Sequence, residues 1–357
     1  MQLPPVQTPQ SFFNDQYAYF SSFSDSWLAH ARDYAAAMIR RFELGPSHRV
    51  VEVASNDGYL LQYFQAAGIP VLGIDPARNC AEAAAAKGIP TEIRFFGAET
   101  ARALAPAYSA DLMAANNVLA HVPDINDFVE GFRILLQPEG VATFEFPHLL
   151  NLIQHNEFDT IYHEHYSYLS LYTTQQIFAA HELTVFDVAE LPSHGGSLRL
   201  FIRHTANNRL SLEPGVARIL DREEQAGLTR LDGYLGFESK VRKVKRDLLK
   251  FLIAAKEAGQ TVAGYGAPAK GNTLLNYCGV RTDLLAFTVD RSPHKHGKFL
   301  PGTRIPVFPP KRIMEARPDF LLILPWNLRD EIMEQMKGIR EWGGKFVVPI
   351  PELQVLP

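Results

Sequence analysis

The chain has 357 residues, of which 46% are hydrophobic and 21% charged, and its formal net charge is -4 at pH 7. This composition is ordinary for a soluble globular protein with room for two domains, and the negative charge argues against nucleic acid as the main partner. Cys80 and Cys278 lie far apart in the sequence, so neither a disulfide framework nor a cysteine-ligated zinc site is expected. Without a signal pattern or an apolar run of about 18 residues, the chain is predicted to be cytoplasmic and not membrane-bound.

Residues 1–24 are predicted to form an N-terminal arm that is rich in proline and aromatic side chains. Such arms more often serve for packing, but they also close over cofactor clefts, so Tyr19 is a candidate contact of a ligand. Residues 25–43 carry apolar residues at helical spacing and predict the helix that precedes the first strand.

The most informative stretch is VVEVASNDG, which begins at residue 50 and is followed by LLQYFQAAG and VLGIDP. The pattern predicts a strand, a turn of small residues that ends in Gly58, a helix, and a second strand that ends in Asp75. The turn lets a ligand approach the backbone, and a carboxylate at the tip of the second strand can accept both hydroxyls of a ribose. A nucleoside cofactor is therefore predicted; the alternative is a buried unit of the same kind without a ligand.

The residues of the turn indicate which cofactor it is. The sequence lacks the G-x-G-x-x-G of dinucleotide sites and instead places Glu52 before the turn and Asn56 and Asp57 inside it. Two carboxylates would repel a pyrophosphate but suit a cationic sulfonium. S-adenosylmethionine is therefore predicted rather than NAD.

Strands and helices alternate as far as residue 147 and predict a doubly wound parallel sheet. Ligands bind such sheets at the carboxyl ends of the strands. The residues predicted at those ends are Asn56, Asp75, Phe96, Asn116 and Asn117. Phe96 could face a purine or belong to the core.

Residues 148–172 interrupt the alternation with a dense run of groups that exchange protons or form hydrogen bonds. The run contains His148, His155, Glu157, Asp159, Tyr162, His163, Glu164, His165, Tyr166 and Tyr168. Acid–base chemistry is the preferred interpretation, because a histidine with a pKa of about 6.5 accepts a proton near neutral pH when a carboxylate orients it. A surface histidine cluster is the alternative; a metal site on residues 163–165 is disfavoured because neighbours in the chain do not converge on one ion.

A helix and an antiparallel hairpin are predicted next, with His194 and Gly195 at the hairpin turn. The glycines there suit either the turn itself or the close approach of a substrate. Residues 206–244 are predicted to form a helical connector, which separates a domain at 25–205 from a smaller α/β domain at 245–357. In that second domain Lys270 stands at the start of a helix, where it could bind a phosphate or be merely solvated.

The chain resembles the S-adenosylmethionine-dependent sugar C-methyltransferases, which install branched methyl groups, as in 3-C-methylation, on nucleotide-linked deoxysugars. The resemblance covers nearly the whole chain from about residue 17 onward. It rests on the motifs VEVASNDGYLL, GIDPA, FDTIYHEHYSYLS, HGGSLR, GYGAPAKGNTLLNYCG, TVDRSPHKHGKFLPGTRIPV and LPWN. It implies a class I methyltransferase Rossmann-like sheet followed by a connector and a smaller Rossmann-like domain.

The resemblance also implies roles for individual residues. Asn56, Asp57, Asp75 and Asn117 would line the cofactor pocket, Tyr162 and Glu164 would hold the sugar, and His165 would be the general base. The nucleotide would face Lys270, Trp326 and Asn327. The remaining candidates from the residues themselves are Glu52, Gly58, Phe96 and Asn116 for the cofactor, and Tyr19, His194 and Gly195 for the substrate.

The reaction implied is removal of the C3 proton of a nucleotide-linked 4-keto-deoxysugar, followed by methylation of that carbon. An O- or N-methyltransferase, a non-catalytic nucleotide-sugar-binding protein and an NAD-dependent sugar oxidoreductase are the alternatives. Family members usually begin with a cysteine-rich zinc-binding domain, which this chain is expected to lack, so no zinc is expected. A monomer and a homodimer are both compatible with the sequence.

Overall fold

The computed structural model describes residues 1–15, 17 and 19–357. The chain forms two compact units. The N-terminal unit consists of Met1–Leu150 and His163–Gly233, and the C-terminal unit consists of Asn151–Tyr162 and Tyr234–Pro357.

The N-terminal unit is built around one mixed sheet. Its strands are β1 (Val50–Val53), β2 (Val71–Ile74), β3 (Thr91–Glu92), β4 (Ala110–Asn116), β5 (Leu136–Pro147), β6 (Leu183–Leu191) and β7 (Ser197–His204). They lie in the order β3-β2-β1-β4-β5-β7-β6, and β7 runs antiparallel to both β5 and β6. This order confirms the predicted class I methyltransferase sheet.

Helices cover both faces of this sheet. They are α2 (Asp25–Arg41), α3 (Leu61–Ala66), α4 (Arg78–Ala86), α5 (Ala98–Tyr108), α6 (Ile125–Leu135), α8 (Leu171–Ala179) and α9 (Pro214–Gln225). The short helix α1 (Pro9–Phe12) lies in the N-terminal arm, and α7 (Leu149–Gln154) spans the point in the sequence where the C-terminal unit begins. The two faces have separate cores, because successive residues of a strand point to opposite sides. Val50 belongs to one apolar cluster with Tyr34 of α2, whereas Val51 belongs to the other with Phe132 of α6.

The C-terminal unit has a second sheet, which is also mostly parallel. Its strands are β8 (Val262–Tyr265), β9 (Thr288–Val289), β10 (Val307–Phe308), β11 (Phe320–Ile323), β12 (Lys345–Val348) and β13 (Gln354–Leu356). They lie in the order β10-β9-β8-β11-β12-β13, with β13 antiparallel to β12. The helices are α10 (Phe237–Glu257), α11 (Ala269–Cys278), α12 (Lys311–Ala316) and α13 (Arg329–Gln335). The predicted second α/β fold is therefore confirmed.

The two compact units divide the chain differently from the predicted segments 1–24, 25–205, 206–244 and 245–357. Helix α9 lies within the predicted connector, yet Val216 and Ile219 are buried in the core of the N-terminal unit. Residues 151–162 lie within the predicted first domain, yet Phe158 is buried in the core of the C-terminal unit. In both places the burial of apolar side chains decides to which unit a segment belongs. None of the helices that the structure describes is long and apolar enough to cross a lipid bilayer.

Candidate active site

The turn after β1 has an unusual backbone. Ala54, Asn56 and Gly58 all have positive φ angles, of 60°, 50° and 75°. Glycine is favoured at position 58 on two grounds, because its φ is left-handed and because a Cβ atom would clash with the side chain of Ile89. Asp75, which directly follows β2, holds the turn in place, because its Oδ2 accepts the Asn56 N–H at 2.8 Å. Its Oδ1 accepts the Ala77 N–H at 2.8 Å.

The electrostatics of this turn are those of a buried acidic site. Burial raises the pKa of Asp75 to about 6, and the two backbone N–H donors act in the opposite direction. Burial also raises the pKa of Glu52 well above its usual range, opposed by the neighbouring Tyr59 hydroxyl. Asp57 has a partner, because Lys87 Nζ lies 3.3 Å from its Oδ2. The turn therefore brings together the predicted residues Glu52, Asn56, Asp57, Gly58 and Asp75.

Several buried oxygens at this edge of the sheet are suited to a ligand that donates hydrogen bonds. They have no hydrogen-bond partner within the part of the chain that the structure describes: Asp57 Oδ1, Asn116 Oδ1 and Asn117 Oδ1. Leaving such acceptors unpaired costs about 1–3 kcal/mol each. A molecule that carries an ammonium group, an amine and hydroxyls would satisfy them, which is the chemistry of the predicted cofactor.

The N-terminal arm lies on the same turn. The Ser21 N–H donates to Asn56 Oδ1 at 2.9 Å, and Asn56 Nδ2 donates to the Tyr19 carbonyl at 3.0 Å. Asn79 at the start of α4 donates to the Tyr17 carbonyl at 2.8 Å. The arm is held through its backbone, and Tyr19 is half-exposed as a residue, although burial raises the pKa of its hydroxyl.

Two histidines meet beyond the end of β4. The ring of His165 lies 4.6 Å from the ring of His121, in an edge-on arrangement. The carbonyl of Ala120 accepts the N–H groups of Tyr166 at 2.7 Å and Ser167 at 3.2 Å, so the strand end holds the segment that carries His165. Asn116 and Asn117 directly precede the stretch that contains Ala120 and His121. The end of β4 therefore lies both at the edge where the cofactor is predicted and beside the segment that carries His165.

His121 was not among the residues predicted for the site. Burial lowers its pKa to about 4, although a hydrogen bond to the Glu164 backbone acts in the opposite direction, so this imidazole is neutral at pH 7. Burial raises the pKa of Glu164, and His163 opposes that shift. A signal was present in the sequence: Pro123 and the N-cap Asp124 start α6 at Ile125 and leave His121 in a loop at the strand end.

The remaining predicted residues of the N-terminal unit are placed as follows. Asn117 Nδ2 lies 3.2 Å from His194 Nε2, so His194 and the adjacent Gly195 reach the edge where the cofactor is predicted. Phe96 packs edge-on against Phe128 and Phe132 of α6, at centroid distances of 5.6 and 5.2 Å. Strand β3 ends at Glu92, before Phe96, so Phe96 is not at the tip of a strand.

A buried charge network supports the hairpin turn. Glu145 of β5 accepts from Arg199 Nη2 at 2.6 Å and from the Ser193 hydroxyl at 2.8 Å, and its Oε2 lies 3.0 Å from His30 Nε2. Burial alone would raise the pKa of Glu145, but these partners lower it to about 2. Ser193 precedes His194, so this network, which the sequence did not reveal, fixes the turn beside Asn117.

The C-terminal unit contains the other group of predicted residues. Lys270 Nζ donates to Asn327 Oδ1 at 2.7 Å and lies 4.4 Å from the centre of the Trp326 ring. Trp326 Nε1 donates to Asp159 Oδ2 at 2.9 Å. Tyr162 belongs to this unit, whereas Glu164 and His165 belong to the N-terminal unit. The structure thus brings Lys270, Trp326 and Asn327 together, and the chain passes between the units inside the proton-transfer run.

Within the described residues, no group of three or more His, Cys, Asp or Glu side chains could hold a metal ion. The expected absence of zinc stays a prediction.

The sheet order of the N-terminal unit, its acidic turn and its antiparallel β7 define a class I methyltransferase domain. In agreement, residues 27–188 match the family model of methyltransferase domains. Residues 192–351 match the family model described as the C-methyltransferase C-terminal domain. The chain is 37% identical to the C-methyltransferase NovU of Streptomyces niveus, over all of this chain and 84% of that protein. The protein belongs to the C-methyltransferase family and is a methyltransferase.

Solved structures with more distant similarity were also found. A SAM-dependent methyltransferase from Anabaena variabilis is 15% identical, with a TM-score of 0.43, over 57% of this chain and 100% of that one. The magnesium protoporphyrin IX methyltransferase of Synechocystis with bound SAM is 13% identical, with a TM-score of 0.38, over 49% of this chain and 79% of that one.

Proposed function

We propose that the protein is an S-adenosylmethionine-dependent C-methyltransferase that acts on a nucleotide-linked 4-keto-deoxysugar, with His165 as the general base. The observation that carries the proposal is the contact of His165 with His121 beyond the end of β4. The same strand end presents Asn116 and Asn117, whose unpaired oxygens suit the cofactor. A base beside a cofactor edge is what methylation of an acidic carbon requires.

The proposed chemistry begins with proton transfer. The 4-keto group acidifies the C3–H bond, and His165 takes the C3 proton while the bonding electrons move into the enolate. Tyr162 is the candidate donor of a hydrogen bond to the enolate oxygen. The cofactor, when bound, would supply a sulfonium methyl group: C3 of the enolate would form the new carbon–carbon bond as the sulfur–methyl bond breaks, and S-adenosylhomocysteine would leave as the neutral thioether.

The environment of His165 suits this role. Its neighbour His121 has a pKa of about 4 and is neutral at pH 7. His121 therefore does not repel the positive charge that His165 acquires when it takes the proton. The S-adenosylmethionine pocket would be formed by Glu52, Asn56, Asp57, Gly58, Asp75, Asn116 and Asn117, with Asp75 at the ribose.

The nucleotide of the substrate is assigned to Lys270, Trp326 and Asn327 of the C-terminal unit. An ammonium group has three N–H donors, and one of those on Lys270 points to Asn327, so donors remain for a phosphate. The indole of Trp326 supports Lys270 from one side.

The first test is calorimetric titration with S-adenosylhomocysteine and, separately, with TDP and GDP. Binding of S-adenosylhomocysteine together with one nucleotide is expected, and the nucleotide that binds identifies the handle of the substrate. Binding of S-adenosylhomocysteine without either nucleotide would contradict the assignment of Lys270, Trp326 and Asn327 and favour a different acceptor.

The second test concerns the base. His165→Asn is expected to slow both deuterium exchange at C3 and methylation by about 10²–10⁴, the usual contribution of a general base. The matched control is His163→Asn, an exposed neighbour two positions earlier, which should leave both rates near those of the wild type.

Rates of His165→Asn within about threefold of wild type would remove His165 from the mechanism. Methylation by the wild type without any C3 exchange would favour the alternative of O- or N-methylation, because only carbon methylation needs that proton removed first.

A further inference from the structure

The segment that precedes the proton-transfer run is anchored in the C-terminal unit. Its 3-10 turn, Phe158–Thr160, packs against α11. Phe158 is 5% exposed and is part of the apolar core of this unit, and its ring lies 5.2 Å from that of Tyr277. Burial of an aromatic side chain is one of the larger favourable terms that a short turn can contribute.

Asp159 adds a polar contact inside this apolar environment. Its carboxylate is fully buried, and Oδ2 accepts the indole N–H of Trp326 at 2.9 Å. Trp326 is also buried, and its ring lies against the ammonium group of Lys270. Asp159, Trp326 and Lys270 thus form a compact acid–indole–cation group.

Asp159 is also the acid with the larger electrostatic effect on Lys270. Burial lowers the pKa of Lys270, and two acids, Asp159 and Glu157, raise it. Burial raises the pKa of Glu157 to about 8 and that of Asp159 to about 6, with Lys270 opposing both shifts. At pH 7 the negative charge opposite Lys270 is therefore mainly on Asp159, and the hydrogen bond to Trp326 is a charge-assisted one.

Hydrogen bonds within the turn connect the anchored residues to the backbone that follows them. The N–H and the hydroxyl of Thr160 both donate to the Glu157 carbonyl, at 3.1 and 2.7 Å, and the Ile161 N–H donates to the Phe158 carbonyl at 3.0 Å. Tyr162 follows immediately. It therefore adjoins a turn that both Phe158 and Asp159 hold against the C-terminal unit.

We infer that Asp159, through its hydrogen bond to Trp326, is a positioning residue that fixes Tyr162 for catalysis. The inference rests on the proposed function, in which Tyr162 donates a hydrogen bond to the enolate oxygen. Asp159 itself has no contact with the reacting atoms in this role. Its effect is to make one position of the Tyr162 hydroxyl dominant.

The first experiment measures the anchoring without reference to any reaction. Amide hydrogen exchange is followed in a peptide that covers residues 157–166, in the wild type, Asp159→Leu, Asp159→Asn and Trp326→Phe. Asp159→Leu and Trp326→Phe are expected to accelerate exchange at Thr160 and Ile161 about tenfold or more, the effect of losing a hydrogen bond to a charged group. Asp159→Asn keeps an acceptor for the indole, so its exchange should be intermediate.

Trp342→Phe is the matched control for Trp326→Phe. Trp342 lies in the same unit, and its indole N–H donates to the Pro318 carbonyl at 3.0 Å, so both substitutions remove one indole hydrogen bond. Only the substitution at Trp326 should affect the peptide 157–166. Equal exchange in wild type and Asp159→Leu, or equal acceleration by both tryptophan variants, would overturn the inference.

The second experiment separates positioning from a merely structural role. Asp159→Leu is expected to lower kcat for methylation about tenfold or more, while the dissociation constant for S-adenosylhomocysteine stays within about twofold of wild type. Asp159→Asn should restore kcat to within about threefold, because the amide oxygen can accept the indole N–H. An unchanged kcat in Asp159→Leu, despite faster exchange, would show that the anchoring does not serve catalysis and would overturn the inference.

Failure of the proposed function gives a different pattern. A wild-type protein that methylates no nucleotide-linked keto sugar, but whose exchange responds as expected, would overturn the catalytic role of Tyr162 and would support the anchoring by Asp159 alone.

Discussion

Part of the backbone strain in the N-terminal unit lies where the cofactor is predicted to bind, and Glu43 and Glu182 have positive φ angles elsewhere in this unit. Ala54, Asn56 and Asn117 have φ angles of 60°, 50° and 55°, although none is a glycine. Residues other than glycine in this conformation cost on the order of 1–3 kcal/mol each and persist only where the surrounding structure enforces them. Here Asp75 enforces the turn, because its carboxylate accepts the Asn56 N–H. The strain and the predicted ligand contacts therefore coincide at the ends of β1 and β4.

We predict that Asp75 makes the affinity for S-adenosylhomocysteine dependent on pH. Its pKa is raised by burial from 3.8 to about 6, so the ionised form that accepts hydrogen bonds dominates above pH 6 and is lost as the pH falls through that value. We expect the dissociation constant to be nearly constant from pH 8 to 7 and to rise below pH 6 by up to about tenfold per pH unit. Calorimetry over this range measures it.

Asp75→Asn is the control for this dependence. The amide does not titrate, so its affinity should be weaker at pH 7 by about tenfold or more and nearly independent of pH between 5 and 8. The same steep decline in the Asp75→Asn variant would mean that another group causes the dependence.

Among single residues of the site, those that belong to a local sequence pattern could be predicted, whereas those that are defined by contacts distant in the sequence could not. Gly58 and Asp75 followed from the strand–turn–helix pattern, and both are placed at the turn as predicted. His121 was missed, although Asp124 caps a helix that begins at Ile125 and leaves His121 in the loop before it. His121 and His165 are far apart in the sequence, so no local pattern indicates that they are in contact.

The hairpin of β6 and β7 depends on a charge that is buried inside the sheet. Glu145 on β5 pairs in register with Arg199 on β7, and the guanidinium lies 2.6 Å from the carboxylate. A buried carboxylate that has lost its cationic partner strongly destabilises the folded protein. The turn that carries His194 is thus stabilised from the neighbouring strand.

Arg199→Met is expected to lower the free energy of unfolding by about 3 kcal/mol, because it leaves Glu145 buried with only His30 and Ser193 as partners. The effect should be largest at neutral pH. The contribution of Glu145 exists above its unfolded pKa of about 4.5 and is lost as the pH falls towards its folded pKa of about 2. Urea denaturation at pH 7 and at pH 3 measures both values.

The exposed pair of Arg209 and Glu139 provides the comparison. Its side chains are 74% and 62% exposed, so Arg209→Met should cost less than about 1 kcal/mol. Similar losses for both arginine variants would show that the buried network has no special role.

For the elements, the alternating pattern was sufficient to predict both sheets, because buried parallel strands are continuous apolar runs. It placed Phe96 at the end of a strand, whereas β3 ends at Glu92 and the apolar residues Ile93 and Phe95 are exposed. It also placed helix α8 after residue 172, whereas the cap is Ser170, which accepts the Thr173 N–H. Both differences arise because tertiary contacts, rather than composition, determine where an element begins and ends.

The two compact units do not correspond to two continuous halves of the chain. Residues 151–162 belong to the C-terminal unit rather than to the predicted first domain. The reason is that Phe158 and Asp159 contact Tyr277 and Trp326, which lie more than a hundred residues later in the sequence. No pattern within residues 151–162 indicates these partners. The order of strands could therefore be predicted from the sequence, but the membership of this segment could not.

This division of the chain has a practical consequence for any attempt to dissect the enzyme. A fragment that begins at Tyr234 would contain every strand of the second sheet, yet it would expose the apolar site that Phe158 fills and leave Lys270 without its carboxylate. The complementary fragment would carry Phe158 as an exposed aromatic side chain. Truncation at the apparent domain boundary is thus expected to yield two poorly soluble polypeptides, and co-expression of both pieces is the way to recover them.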